Sequence, residues 1–197
     1  MSPFGPLTLE STNAIERVEN LLADKQNPDA VRAAAQVLNS LPSYPADKKD
    51  ILKEIPEKFL SPRKKLDRLY SYILEIPALE FFKKLRNIRK SLEKNGYFYS
   101  ATIAGLLEIL ALDWMHTPEE ELRIISTLKS RIIGLYDPVL RFRLALFSAK
   151  AYAQLLQVEN AYESAKKCRR LLRSLPYSNS LESYGVLMTV LTDYKEA

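Results

Sequence analysis

Few residues in this sequence have the chemistry that catalysis or metal binding needs, and the single histidine is the first of them. His116 follows Trp114 and Met115 at the end of a predicted helix. It could act as a general base, but it has no second histidine to share a metal ion and no serine or cysteine motif beside it. A histidine at the end of a helix also satisfies exposed carbonyl groups and complements the helix dipole. We therefore interpret His116 as a helix-end residue.

The single cysteine is the second candidate. Cys168 cannot form a disulfide within the chain or complete a zinc site alone, and its use fits a reducing compartment. Lysines and arginines on both sides of it could lower the pKa of the thiol and make it a nucleophile. However, Cys168 lies at helical spacing from Ala161 and Ala165, on the face expected to be buried. This spacing favours a packed core cysteine.

Two carboxylates in the most apolar stretch are the third candidate. Glu108 and Asp113 are five residues apart, which places them about 140° apart on a helix, so they do not form the carboxylate pair of an acid–base catalyst. Leucine and isoleucine flank Glu108, and burial without a partner would be costly. We expect a structural ion pair with Arg141 or Arg143.

The sequence thus predicts no catalytic, cofactor-binding or metal-binding residues and no cofactor, and we expect the protein not to be an enzyme. The chain has only 5 glycines, which argues against glycine-rich loops that cradle phosphate groups.

A concentration of positive charge is the strongest functional signal. Between residues 47 and 94 there are 14 lysines and arginines against 8 acidic residues, in a chain whose net charge is +5. Four of these cations fall on one face of a predicted helix opposite Phe82, Leu85 and Ile88, and they are the predicted partner-binding residues Lys83, Arg86, Lys90 and Lys94. A second cluster comprises Lys166, Lys167, Arg169, Arg170 and Arg173. Such faces can be merely solvated, or they can bind an acidic protein, a nucleic acid or anionic lipid. Tyr97, Phe98 and Tyr99 could stack on bases.

The elements that would position these residues are all predicted to be helices. Apolar residues recur at helical spacing throughout, and period-two alternation is nowhere sustained. Helix starts are expected at Asn13, Asn27-Pro28, Ser61-Pro62, Thr117-Pro118 and Asp137-Pro138, with Glu120 closing a capping box on Thr117. The most apolar segment, from Tyr97 to Met115, predicts a central buried helix. A last helix is expected over Ser180–Tyr194. We therefore predict an all-α fold of about eight to nine helices arranged as stacked antiparallel hairpins.

Residues 138–176 resemble a degenerate tetratricopeptide repeat. Ala149, Ala151 and Tyr152 match the small and aromatic positions of the first helix of that family, and Ala161 and Cys168 match the small positions of the second. The glycine of the inter-helix turn is missing, and the following proline comes late, at Pro176. The resemblance implies a scaffold that binds a peptide or a partner helix in a concave groove. An irregular helical bundle whose small residues pack at similar spacing is the open alternative.

The leading functional hypothesis is a non-enzymatic interaction protein, such as an adaptor, assembly subunit or chaperone, which binds another protein, possibly an acidic one. The alternative is a nucleic-acid-binding protein that uses the basic face around residues 83–94. We expect an N-terminal region with basic helices (1–95) and a C-terminal region of hairpins (96–197), packed as one unit. The longest uncharged stretch, Asn95–Leu107, is too short to span a bilayer, and we see no signal peptide, so we expect a cytoplasmic protein.

Overall fold

The computed structural model describes residues 9–24, 26–41, 49–135 and 137–175. This part of the chain contains nine α-helices and no strand, which confirms the predicted all-α class and the number of helices. A 3-10 helix at Glu57–Phe59 separates the third and fourth α-helices. The predicted helix Ser180–Tyr194 lies outside the described residues. The α-helices are α1 (Leu9–Leu22), α2 (Pro28–Ser40), α3 (Lys49–Glu54), α4 (Pro62–Ser71), α5 (Ala78–Lys94), α6 (Phe98–Trp114), α7 (Pro118–Leu135), α8 (Pro138–Gln154) and α9 (Val158–Leu172).

Contacts within the chain divide it into two compact units. The first comprises residues 1–76 with 90–97, and the second comprises residues 77–89 with 98–197. Helix α5 contributes residues to both. The sequence-based division after residue 95 stays a prediction.

The helix starts of the first unit are those that the sequence marks. The Asn27 side chain accepts hydrogen bonds from the backbone N–H groups of Asp29 (3.0 Å) and Ala30 (3.4 Å). The Ser61 hydroxyl accepts one from the N–H of Lys64 (3.4 Å). In both helices a proline takes the first position, where its missing N–H costs no hydrogen bond. Both predicted starts are confirmed. The core of α1 to α3 includes Val18, Leu22, Ala34, Leu38, Leu52 and Ile55.

The second unit contains two helical hairpins, α6–α7 and α8–α9. Helix α6 buries residues around most of its circumference, from Ala101 to Asp113, as its apolar composition predicts. Gly105 marks the close approach of α6 to α7, because a Cβ atom there would lie 2.8 Å from a methyl group of Leu128. The two helices of each hairpin thus approach through small residues, Gly105 on α6 in the first hairpin and alanines on α8 and α9 in the second.

The apolar pattern predicts that the core of these hairpins includes Leu106, Leu107, Leu110, Leu146, Phe147 and Leu155, and this prediction is only partly correct. Leu106 and Leu107 are buried, but four other predicted core residues are half-buried: Leu110, Leu146, Phe147 and Leu155. Ile109 and Phe142 take the interior positions instead. Helical spacing alone does not distinguish between adjacent apolar residues when nearly every position is apolar.

Helices α5, α6 and α8 end in the same hydrogen-bonded turn. In each, a residue with positive φ follows the helix: Gly96 (76°), His116 (53°) and Leu156 (57°). The next N–H group then donates back to a carbonyl five residues earlier, as Thr117 does to Leu112 (3.2 Å) and Gln157 to Tyr152 (2.9 Å). This is the Schellman arrangement, in which glycine is usual because it adopts positive φ without a steric cost. His116 and Leu156 occupy this position in spite of their side chains.

The two hairpins of the second unit share one register. Helices α6 and α8 begin at residues 98 and 138, and helices α7 and α9 begin at residues 118 and 158, so both pairs of starts are 40 residues apart. The positive-φ residues, 116 and 156, have the same spacing. Each residue of α6, and each residue of α7 up to Ile132, therefore has a counterpart 40 positions later in α8 or α9.

Two predicted helix limits are wrong. Helix α1 begins at Leu9, so Asn13 lies inside it rather than at its start. The four residues of α1 before Asn13, from Leu9 to Thr12, include no glycine or proline that would stop the helix there. The helical spacing of Leu69, Ile73 and Leu74 predicts that the helix starting at Pro62 continues to Leu74, but α4 ends at Ser71 and the Leu74 side chain is 90% exposed.

The start of α7 is confirmed, but the capping box is wrong. Thr117 directly precedes the helix, yet its hydroxyl donates to the carbonyl oxygen of Leu112 (3.1 Å) at the end of α6. The Glu120 carboxylate instead accepts a hydrogen bond from Arg123 (2.8 Å). Thr117 therefore helps to close the turn between the two helices.

Asp137 is the strongest helix cap of the second unit. One of its oxygens accepts from the N–H groups of Val139 (2.8 Å) and Leu140 (3.1 Å), and the other accepts from the Tyr99 hydroxyl (3.1 Å). We expect Asp137→Ala to lower the free energy of unfolding by about 1–2 kcal/mol, and Asp137→Ser to cost less because it keeps a cap. Urea denaturation followed by helical circular dichroism measures both. An alanine variant as stable as the serine variant would contradict the assignment.

Among the described helices, none has the length and apolarity required to cross a lipid bilayer.

Candidate functional site

The predicted basic face is a feature of the folded protein. Lys83, Arg86, Lys90 and Lys94 lie on the continuous helix α5, and all four side chains are exposed. None of the four has an ion-pair partner among the described residues. By contrast, the neighbouring Lys84 pairs with Glu80 at 2.7 Å. The four cations therefore keep their full charge available to a ligand.

The buried face of α5 differs from the predicted one by one position. Phe81 and Leu85 are fully buried, whereas Phe82 and Ile88 are only partly so. Phe81 and Phe82 both fit the apolar pattern, and the sequence does not show which of these two neighbours is buried. The difference matters because Phe82 now lies at the border between the core and the basic face.

A buried ion pair joins α5 to α6. Arg89 donates through Nε to one oxygen of Glu108 and through its terminal nitrogen to the other (3.2 Å). The Glu108 side chain is fully buried. The predicted partner was Arg141 or Arg143, whereas the ion pair that the structure shows is with Arg89; Arg141 donates to the carbonyl oxygen of Ile133 (2.8 Å). Arg89 could have been found, because it stands four residues after Leu85 and three before Leu92, on the core face of its helix.

A groove lies between α5, α6 and α7, with a volume of about 370 Å³. Three arginines line it: Arg86 has no ion-pair partner within the described parts of the chain, Arg89 is paired with Glu108, and Arg123 is paired with Glu120 at 2.8 Å. The groove also has apolar side chains, Phe82, Leu112 and Ile124, and its wall is completed by Glu108, Glu120 and Thr127. The groove therefore offers one free guanidinium group and two that are already neutralised, next to apolar surface.

A second polar cluster lies where α6, α7 and α8 pack together. Asp113 accepts hydrogen bonds from Lys150 (2.6 Å) and Gln154 (3.4 Å). Glu121 is fully buried, and neither of its carboxylate oxygens has a hydrogen-bond partner among the described residues. Burial, and then the nearby charge of Asp113, raise the pKa of Glu121 to about 7. We did not predict this cluster, although Glu121 stands four residues before Ile125 and seven before Leu128, on the core face of α7.

The surroundings of Cys168 and His116 do not favour catalysis by either residue. Cys168 is fully buried, and burial raises the pKa of its thiol to about 12 despite the lysine beside it. A thiol of this kind is a poor nucleophile because the thiolate is scarce at neutral pH. His116 is exposed in the turn after α6, where a helix-end residue was expected.

The exposed aromatic residues near α5 are partly engaged by other groups. The Arg63 guanidinium lies 5.7 Å from the centre of the Tyr97 ring, and the Tyr99 hydroxyl is bonded to Asp137. Phe98 is the most exposed of the three. Two of the three predicted stacking residues therefore already have contacts within the protein.

In the parts of the chain that the structure describes, no group of three or more histidine, cysteine or acidic side chains could hold a metal ion. Comparison with models of protein families, with curated proteins and with solved structures found no match to this chain.

Proposed function

We propose that this protein is a non-enzymatic interaction protein, such as an adaptor or assembly subunit, which binds an acidic segment of another protein along α5. The row of exposed, unpaired cations on this helix is the observation that carries the proposal. Positive charge that no acidic neighbour offsets attracts an acidic partner over several ångströms and speeds its association.

The adjoining groove supports a ligand that is acidic and partly apolar. Arg86 belongs both to the basic face and to the groove wall, where Phe82 and Ile124 add apolar surface. A carboxylate on the ligand could pair with Arg86 in two hydrogen bonds, while a neighbouring apolar side chain covers Phe82. A segment that alternates glutamate or aspartate with leucine has this chemistry.

The regular register of α6–α7 and α8–α9 supports a scaffold built from repeated hairpins. Equal helix starts and equal turns are typical of repeat proteins, whose stacked units present a continuous surface to a ligand. We extend the proposal to a tetratricopeptide-like scaffold in the cytoplasm. The buried, reduced Cys168 is consistent with that compartment.

A nucleic-acid ligand is the rival, and it makes a different prediction about salt. Release of counterions from a nucleic acid makes binding fall steeply with salt concentration, in proportion to the number of phosphates contacted. Base stacking would require free aromatic faces, and Tyr97 already has Arg63 over its ring. We therefore favour the acidic peptide.

Reversal of three charges on α5 tests the proposal. We expect the triple variant Lys83→Glu, Arg86→Glu and Lys90→Glu to fold normally, because these side chains are exposed and unpaired. It should bind a fluorescein-labelled peptide of alternating glutamate and leucine at least about tenfold more weakly than the parent, mainly through slower association. Fluorescence anisotropy and stopped-flow mixing measure the affinity and the rate.

The chain offers a matched control with the same change of charge on another helix. Lys167, Arg169 and Arg170 of α9 are also exposed, and their reversal to glutamate should leave peptide binding within about twofold of the parent. Equal losses in both triple variants would mean that net charge alone attracts the peptide. A single-stranded RNA that binds more tightly than the peptide, with a steep salt dependence, would favour the rival.

A further inference from the structure

The carboxylates of Asp113 and Glu121 differ in whether the protein supplies them with hydrogen-bond donors. Asp113 is compensated by the ammonium group of Lys150 and the amide of Gln154. Glu121 has no such partner, and its exposed fraction is 0%. A buried carboxylate without a hydrogen-bond donor is strongly disfavoured in its charged form, whereas a neutral carboxylic acid tolerates the same position far better.

The charged groups that act on Glu121 come from both helices packed against α7. Asp113 on α6 repels a negative charge on Glu121, and Lys150 on α8, which pairs with Asp113, attracts that charge more weakly. On α7 itself, the neighbouring acids Glu119 and Glu120 are exposed.

The shared register of the two hairpins shows that packing does not require an acid at this position. The counterpart of Glu121, 40 residues later, is the buried Ala161, and the counterpart of Asp113 is Ala153. Small apolar residues fill these places in the second hairpin. The two carboxylates of the first hairpin are therefore not required for the packing of a hairpin of this kind.

We propose that Asp113, Glu121 and Lys150 form a proton-binding site that couples the packing of α6, α7 and α8 to pH near neutrality. When the three helices are packed, Glu121 holds a proton. When they separate, Glu121 meets water and releases it. A rise in pH therefore loosens this part of the protein, and a fall in pH tightens it.

The direction follows from linkage between proton binding and folding. The folded state binds the Glu121 proton more tightly than the unfolded chain, since the pKa of the folded residue is about 7 against an ordinary 4.5. The stabilisation is complete below pH 4.5 and is lost as the pH rises through 7. Between pH 5.5 and pH 8 the folding equilibrium constant should fall about 30-fold through this group alone.

The experiment follows unfolding of the full chain through its single tryptophan. Trp114 is adjacent to Asp113 in sequence, and its ring lies 6.2 Å from that of Phe81, so its fluorescence reports on this unit. Urea denaturation is measured from pH 5 to pH 8.5 in a His116→Asn background, which removes the only histidine and keeps a residue that tolerates positive φ. We expect the parent to lose stability as the pH rises and the Glu121→Gln variant to show a flat profile over this range.

A direct titration keeps the test independent of any variant at position 121. The carboxyl carbon of Glu121, observed by nuclear magnetic resonance in the parent protein labelled with ¹³C-glutamate, should titrate near pH 7. The Glu121→Ala variant, which copies the second hairpin, serves as a further packing control and should also be insensitive to pH. A carboxyl group that titrates in the ordinary glutamate range near pH 4.3 overturns the inference, as do equal pH profiles in the parent and Glu121→Gln.

Discussion

Replacement of Arg89 by alanine should lower the free energy of unfolding of the second unit by about 3–5 kcal/mol. The substitution leaves the Glu108 carboxylate fully buried without the guanidinium group that now donates to both of its oxygens. The loss is therefore dominated by the cost of an uncompensated buried charge rather than by the strength of the ion pair itself. Urea denaturation followed by Trp114 fluorescence measures the change.

Two further variants separate these contributions. Arg86→Ala removes an arginine of the same helix that is exposed and has no partner, and it should change stability by less than about 0.5 kcal/mol. The double variant Arg89→Met with Glu108→Leu replaces both charges by apolar groups and should recover most of the lost stability. If the double variant is no more stable than Arg89→Ala, the buried charge is not the cause.

The second large effect is expected at Phe142, where alanine should cost about 3–5 kcal/mol. Phe142 is the only aromatic residue among the buried members of the α8–α9 core cluster that the structure describes, and the others are Ala145, Ala149, Ala165 and Cys168. These alanine and cysteine side chains are too short to fill the space that a phenyl ring leaves, and the leucines that pack against the cluster are only partly buried. The surrounding helices would have to shift, so a cavity should persist and raise the cost toward the upper value.

Cys168 provides an independent readout of this substitution. The thiol is buried in the same cluster, and burial keeps its pKa near 12, so a thiol reagent should label the parent protein slowly. Phe142→Ala should accelerate labelling by lowering the free energy of opening. Phe98→Ala, at an exposed aromatic residue, is the control and should leave both stability and labelling nearly unchanged. Slow labelling of Phe142→Ala with an unchanged denaturation midpoint would contradict the assigned packing.

Much of the fold was accessible from the sequence because helix starts have a local signature. Asn27, Ser61 and Asp137 each precede a proline, and each accepts backbone hydrogen bonds where expected. The exposed cations of α5 were predicted for the same reason, since a helix places residues three and four apart on one face. Both inferences depend on a few consecutive residues.

The buried polar groups were harder to predict because their partners are distant in sequence. Glu108 was expected to need a cation, but its spacing from Arg89, Arg141 and Arg143 does not say which of them the packing brings close. Glu121 was not singled out from the sequence, because a carboxylate in the first turn of a helix is ordinary. Its burial depends on how α8 packs over that turn, and only the structure supplies this.

The turn between α6 and α7 decides which carboxylate is buried. The hydrogen bond from the Thr117 N–H to the Leu112 carbonyl oxygen holds the short turn between the two helices in one conformation. An α-helix rotates by about 100° for each residue, so one inserted residue here would bring Glu120 to the angular position that Glu121 now holds. The length of this connection, rather than the side chains within it, thus sets the rotational phase of α7 against its neighbours.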